Sequence, residues 1–236
     1  MPNLPIRGRQ EAPPHHHWRL DGDRSDPSAP LVVALHGYGM DEDLFSTLLQ
    51  KLFDRSYRFL LPRGPFPGRF GLDVENGASW YEYDGDQERF RAELGRLERE
   101  IPALVEDVER EQGLAPRSRY LLGFSQGGYG GSWVALRRPD LFAGMIVSGA
   151  RVKTEWLGEE MRAASARGFR ALLCHGTRDR SVKPEAAERT RADLAAAGVD
   201  VEHRTFDAGH SLGREQVAAI GDWLGRAREV DARPSG

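Results

Sequence analysis

Residues 120–129 read Tyr-Leu-Leu-Gly-Phe-Ser-Gln-Gly-Gly-Tyr, and the rest of the chain is arranged around them. The apolar run Tyr120-Leu121-Leu122 feeds the turn Gly123-Phe124-Ser125-Gln126-Gly127, with a helix expected to open near Gly127. A serine can sit in a strained turn, hydroxyl raised above the end of a sheet, only where both flanking side chains are absent. Gly123 and Gly127 supply that absence. The plain alternative, in a chain with 27 glycines, is a serine whose hydroxyl merely caps the helix. Other stretches bear on the choice.

Upstream, residues 31–35 (Leu-Val-Val-Ala-Leu) form a continuous apolar run, as a parallel strand buried on both faces requires. It ends in His36-Gly37-Tyr38-Gly39-Met40, after which Leu44, Phe45, Leu48, Leu49 and Leu52 recur at helical spacing. Residues 57–61 predict the next strand, stopped by Pro62. A Pro- and Gly-rich loop then runs to Ser79-Trp80-Tyr81-Glu82-Tyr83, an aromatic cluster that either walls a pocket or covers the core. Phe90, Leu94, Leu97, Ile101, Leu104, Val105 and Val108 predict one amphipathic helix over 86–112, with Pro102 a candidate kink and Gly113 its stop.

Downstream of the elbow, residues 141–149 and 169–174 predict further strands, and 156–168 and a stretch opened by Pro184 predict helices. Residues 199–206 alternate like a half-exposed edge strand, and Val217, Ile220, Trp223 and Leu224 mark a last helix. At the front, Trp18-Arg19-Leu20 predicts an early strand. The expected fold class is α/β, a mostly parallel central sheet with helices on both faces and no large cap domain. The expected organisation is a poorly ordered arm at 1–14, one domain at 15–228 and a tail at 229–236.

The formal net charge of −3, with acidic and basic residues interspersed, gives no nucleic-acid footprint. Neither a secretory leader nor a membrane-spanning run is apparent, which predicts a cytoplasmic protein, monomeric or homodimeric, with no stable membrane insertion. Cys174, the single cysteine, lies in an apolar run and reads as core packing. His15, His16 and His17 are consecutive and point to alternate faces, so they do not converge on one ion, and no other cluster has ligand spacing. Neither metal nor cofactor is expected.

In parallel α/β sheets the chemistry gathers beyond the carboxyl ends of the strands. Here those ends carry His36 to Met40, Ser125 with Gln126, Asp179, and His210, the last three in the order Ser, acid, His. On the blocks Leu35-His36-Gly37-Tyr38-Gly39, Gly123-Phe124-Ser125-Gln126-Gly127-Gly128, His175-Gly176-Thr177-Arg178-Asp179 with Val182, and Gly209-His210, the chain resembles the phospholipase/carboxylesterase family of α/β-hydrolases. That group includes small carboxylesterases, lysophospholipases and acyl-protein thioesterases. The resemblance runs from about residue 31 to 224 and departs at 62–83 and after Ser148, the parts that would name a substrate.

A neutral hydroxyl is a poor nucleophile at pH 7, so a base must take its proton, and a histidine suits the task. The expectation is Ser125 as nucleophile, His210 as base and Asp179 as the carboxylate that orients it, with Asp207, three residues before His210, as the rival acid. Amide groups of Gln126 and, by the resemblance, Tyr38 would form the oxyanion hole. His36 reads as a brace for that loop and His203 as a surface residue. Trp80, Tyr81, Val152 and Trp156 are the expected apolar walls of an acyl site. The expected activity is cleavage of small or single-chain carboxylic esters. Thioester or lysophospholipid cleavage by the same chemistry is the alternative, and a ligand-binding protein of this fold that has lost its activity is the non-enzyme alternative.

Overall fold

Leu31–Leu35 is buried at every position, and its side chains alternate between two separate cores. Leu31, Val33 and Leu35 enter one, Val32 and Ala34 the other. This strand (β3) therefore lies mid-sheet with a layer of helices on each face. The structure, a computed structural model, describes residues 6–9, 17–23, 25–53, 57–68 and 77–231, with 6–9, 230 and 231 described by their backbone alone.

Ten strands are described. With β3 they are β1 (Ile6–Arg9), β2 (His17–Gly22), β4 (Arg58–Pro62), the short β5 (Phe66–Pro67) and β6 (Ala78–Ser79), β7 (Arg119–Phe124), β8 (Gly144–Ser148), β9 (Arg170–Gly176) and β10 (Asp200–Phe206). Eight form one sheet in the order β1-β2-β4-β3-β7-β8-β9-β10, parallel from β4 to β10 and antiparallel at β1 and β2. Strands β5 and β6 pair separately.

The helices are α1 (Glu42–Leu49), α2 (Gln87–Gln112), α3 (Gln126–Arg137), α4 (Gly158–Ala166), α5 (Pro184–Ala196) and α6 (Arg214–Asp231). The apolar stripe of α2 packs with residues of α3 and α4 in the first core, while residues of α1 and α6 fill the second. Helix α2 runs unbroken through Pro102. It is capped by Asp86, whose carboxylate accepts from the Glu88 and Arg89 N–H groups, and it ends at Gly113 in the left-handed conformation, φ 64°.

Some expectations are corrected. Ile6–Arg9 lies within the stretch expected as a poorly ordered arm, yet it pairs antiparallel with β2, because β2 otherwise leaves its outer edge without a ladder partner. The rest of that arm, with His15 and His16, lies outside the described residues, as does much of the loop between Gly68 and Gly77. Helix α6 reaches Asp231, into the expected tail. His203 is not a surface side chain: only 6% of it is exposed, its Nδ1 lies 3.2 Å from Glu188 on α5, and burial, set partly against the pull of Glu188, lowers its pKa. Cys174 is buried in the second core, where burial pushes its thiol pKa up to about 12.

Candidate active site

Ser125 joins β7 to α3 with φ 50°, and it is the only non-glycine residue at positive φ among the described residues. Such a backbone persists only when its surroundings over-determine it. The Ser125 N–H donates to the Ser148 carbonyl at 2.9 Å, and its own carbonyl accepts from Gly128 at 2.9 Å and Tyr129 at 3.1 Å. A Cβ at Gly123 would stand 2.3 Å from the Gly127 carbonyl oxygen, and one at Gly127 would stand 2.2 Å from that of Leu35. Both contacts are with backbone, so neither position tolerates a side chain. The hydroxyl makes no capping bond to α3.

It turns instead to His210, which follows β10. His210 Nε2 lies 2.8 Å from Ser125 Oγ and Nδ1 lies 2.7 Å from Asp179 Oδ2. The other carboxylate oxygen of Asp179 accepts from the Ser181 and Val182 N–H groups at 2.8 and 2.9 Å. Burial pushes the Asp179 carboxyl pKa up. The Val182 N–H, His210 and the Ser181 N–H together outweigh that and hold it below the usual carboxylate range. Asp207, the rival acid, is 85% exposed and pairs with Arg178 at 3.0 Å. A hydroxyl bonded to an imidazole whose far nitrogen meets a buried, ionised carboxylate is arranged for base-assisted attack on a carbonyl.

The loop after β3 is braced as expected, and by a defined tautomer. His36 Nδ1 donates to the Gly37 carbonyl at 2.8 Å, and Nε2 accepts from the Gly64 N–H at 3.0 Å. Both bonds suit a neutral ring, and burial lowers its pKa to about 4. Gly39 N–H donates to the Ala78 carbonyl and Ala78 N–H to that of Met40, each at 2.8 Å, tying this loop to β6. The Gln126 N–H belongs to the first turn of α3, where no intrahelical acceptor exists. Its side chain has a role the sequence did not reveal. Oε1 accepts from the Trp80 N–H at 2.9 Å and Nε2 donates to the Tyr81 carbonyl at 2.8 Å, which staples the aromatic segment to the elbow.

Ser125 and His210 open into a cavity of about 760 Å³ that also touches Tyr38 and Gln126. Its walls differ from the expected ones. Tyr81 lines it, but Trp80 is fully buried and donates its indole N–H to the His36 carbonyl at 2.9 Å. Val152 is buried too, its N–H on Thr190 Oγ1. Trp156 packs against Trp133 and Phe90 and lies beneath the Lys153 ammonium, 4.2 Å away. The residues that do reach the cavity include Tyr83, Phe90, Tyr129, Arg151 and Lys153. Arg151 and Lys153 flank Val152 in an irregular segment, where no periodicity along the chain announces which side chain faces the cavity.

Residues 23–226 match the model of the phospholipase/carboxylesterase family. The chain belongs to this family. Carboxylesterase SOBER1 of Arabidopsis thaliana is 28% identical over 212 residues, which cover 83% of this chain and 90% of that protein. Esterase PE8 superposes with a TM-score of 0.71 at 25% identity, over 89% of this chain and 99% of that one. The fold also matches Zea mays acyl-protein thioesterase 2, with a TM-score of 0.67 at 18% identity over 89% and 97% of the two chains. This phospholipase/carboxylesterase family member is a hydrolase of the carboxylesterase type with the α/β-hydrolase architecture, and no cap domain is evident among the described residues. Among the described residues no helix is long and apolar enough to cross a membrane, and no group of three or more His, Cys, Asp or Glu side chains is set to hold a metal.

Proposed function

We propose that this hydrolase cleaves small or single-chain carboxylic esters through an acyl-enzyme on Ser125. The observation that carries the reading is the hydrogen-bonded series Ser125 Oγ, His210, Asp179, at 2.8 and 2.7 Å, at the mouth of a cavity. As Ser125 Oγ attacks the acyl carbon, His210 Nε2 takes its proton, and Asp179 stabilises the imidazolium that forms. The N–H groups of Gln126 and Tyr38 receive the negative charge on the carbonyl oxygen, each worth about 3 kcal/mol of barrier. The carbon–oxygen bond to the leaving group then breaks, and His210 returns the proton to the departing alkoxide. Water, deprotonated by His210 in its turn, attacks the acyl carbon and frees the acid and Ser125.

No metal or other cofactor enters these steps, and the domain responsible is the whole α/β unit, acting as a monomer or homodimer in the cytoplasm. The test is stoichiometric labelling by a serine-directed fluorophosphonate, with the adduct mapped by peptide mass spectrometry. One adduct on Ser125, abolished in Ser125→Ala and slowed in His210→Ala, is expected. Labelling elsewhere, or equal labelling of the Ser125→Ala protein, would sink the assignment.

A further inference from the structure

The cavity beside Ser125 is not the apolar trough that an alkyl chain alone would call for. Arg151 and Lys153 both reach it, because Val152 between them turns inward to the core. The two cations share a single carboxylate. Glu155 Oε1 accepts from Arg151 Nη2 at 2.6 Å and lies 3.4 Å from Lys153 Nζ. Lys153 is held in place by more than that contact, since its ammonium donates to Gln87 Oε1 at 2.8 Å and lies 4.2 Å from the centroid of the Trp156 ring and 5.6 Å from that of Phe90. Only 11% of its side chain is exposed and 28% of that of Arg151.

Two partly buried cations share one half-exposed carboxylate, which leaves a surplus of positive charge at the cavity wall. Glu82 also borders the cavity, but it is exposed to solvent and pairs with neither cation among the described residues. Its field at their charged ends is screened by water and salt more strongly than that of a carboxylate in direct contact with them.

We propose that Arg151 and Lys153 form an anion subsite and that the preferred substrates are esters bearing a carboxylate. The inference rests on the acyl-enzyme reading of Ser125. The surplus amounts to one positive charge, which matches a monoanion. The guanidinium supplies a planar fork for a carboxylate and the ammonium a third donor direction. The substrate's neutral stem lies against Phe90, Tyr83 and Tyr129, aromatic faces of the same cavity.

Two matched pairs of esters test this. Mono-p-nitrophenyl glutarate against p-nitrophenyl pentanoate places the carboxylate on the acyl side. The acetate of 4-hydroxybenzoate against that of its methyl ester places it on the alcohol side. In one pair the anionic ester should have the higher kcat/KM by roughly tenfold, the scale of a hydrogen bond to a charged group. That ratio should fall toward one in Arg151→Gln and in Lys153→Gln, recover partly in Arg151→Lys, and shrink at high salt. Fluorophosphonate labelling of Ser125 and thermal melting report whether each variant is folded and reactive.

A wild-type enzyme that is labelled on Ser125 and hydrolyses the neutral esters, yet prefers neither anionic one, overturns the subsite and leaves the nucleophile standing. A preference that persists in the Arg151→Gln, Lys153→Gln double variant overturns it as well. An enzyme not labelled on Ser125 would remove the acyl-enzyme reading, and the subsite with it.

Discussion

His175 stands behind Asp179, with Nε2 donating to the Val182 carbonyl at 2.8 Å and lying 3.5 Å from Asp179 Oδ2. The ring is buried, and its Nδ1 meets no hydrogen-bonding partner among the described residues. That one bond closes the turn whose Ser181 and Val182 N–H groups hold the opposite oxygen of Asp179. We infer that His175 positions the carboxylate. His175→Leu should lower kcat roughly tenfold with KM little changed, because a small displacement of an orienting group acts on the transition state. His175→Gln, which keeps a donor, should recover part of the loss. Wild-type kcat in the Leu variant would refute the role.

Asp179→Asn should lower kcat by about four orders of magnitude, since an amide facing Nδ1 favours the wrong tautomer of His210. Asp207→Asn, a change on an exposed pair with Arg178, should leave kcat near wild type. Steady-state rates on one activated ester decide the matter, and a larger loss in the Asp207 variant would mean that the wrong acid has been named.

Replacing the strained Ser125 separates catalysis from backbone cost. Both Ser125→Ala and Ser125→Gly remove the proposed nucleophile, but only glycine adopts φ 50° without penalty. The glycine variant should be the more stable of the two by about 1 kcal/mol. For a chain of this length that is a melting-temperature difference of roughly 2–4 °C. Equal melting temperatures would show that the elbow stores no strain.

The buried His36 gives stability a pH dependence with a definite sign. Burial lowers its pKa to about 4 in the fold from the ordinary value of 6.5. Above pH 6.5 both folded and unfolded chains hold it neutral, and no penalty exists. As pH falls from 6.5 to 4 the unfolded chain takes up the proton and the folded one does not, so stability drops, by roughly 3 kcal/mol at the lower end. Urea unfolding at pH 7 and pH 4.5 should show a steeper loss in the wild type than in His36→Gln. Parallel losses would mean that the His36 ring is free to protonate in the folded state.

Much of this was legible in the sequence because it is local. The all-apolar run 31–35 is buried on both faces, as such a run must be, and the spacing from Phe90 to Val108 fixes one face of a helix that its own cap and Gly113 delimit. Gly123 and Gly127 are required by contacts within the turn they frame or with the strand beside it, so the motif carries its own reason.

What the sequence left open depended on which residues lie near each other only after folding. Asp207 is three positions from His210 and Asp179 is 31, yet the nearer acid sits in solvent while the turn after β9 carries the farther one to the ring. His203 looks exposed in an alternating strand, but α5 covers that face. Val152 was the natural apolar wall by composition, and the structure turns it into the core and gives the cavity to its charged neighbours. Hydrophobic periodicity is written along the chain, so strands, helices and the elbow could be read from it. In an irregular segment the direction of a side chain depends on what packs behind it, and only the tertiary structure supplies that.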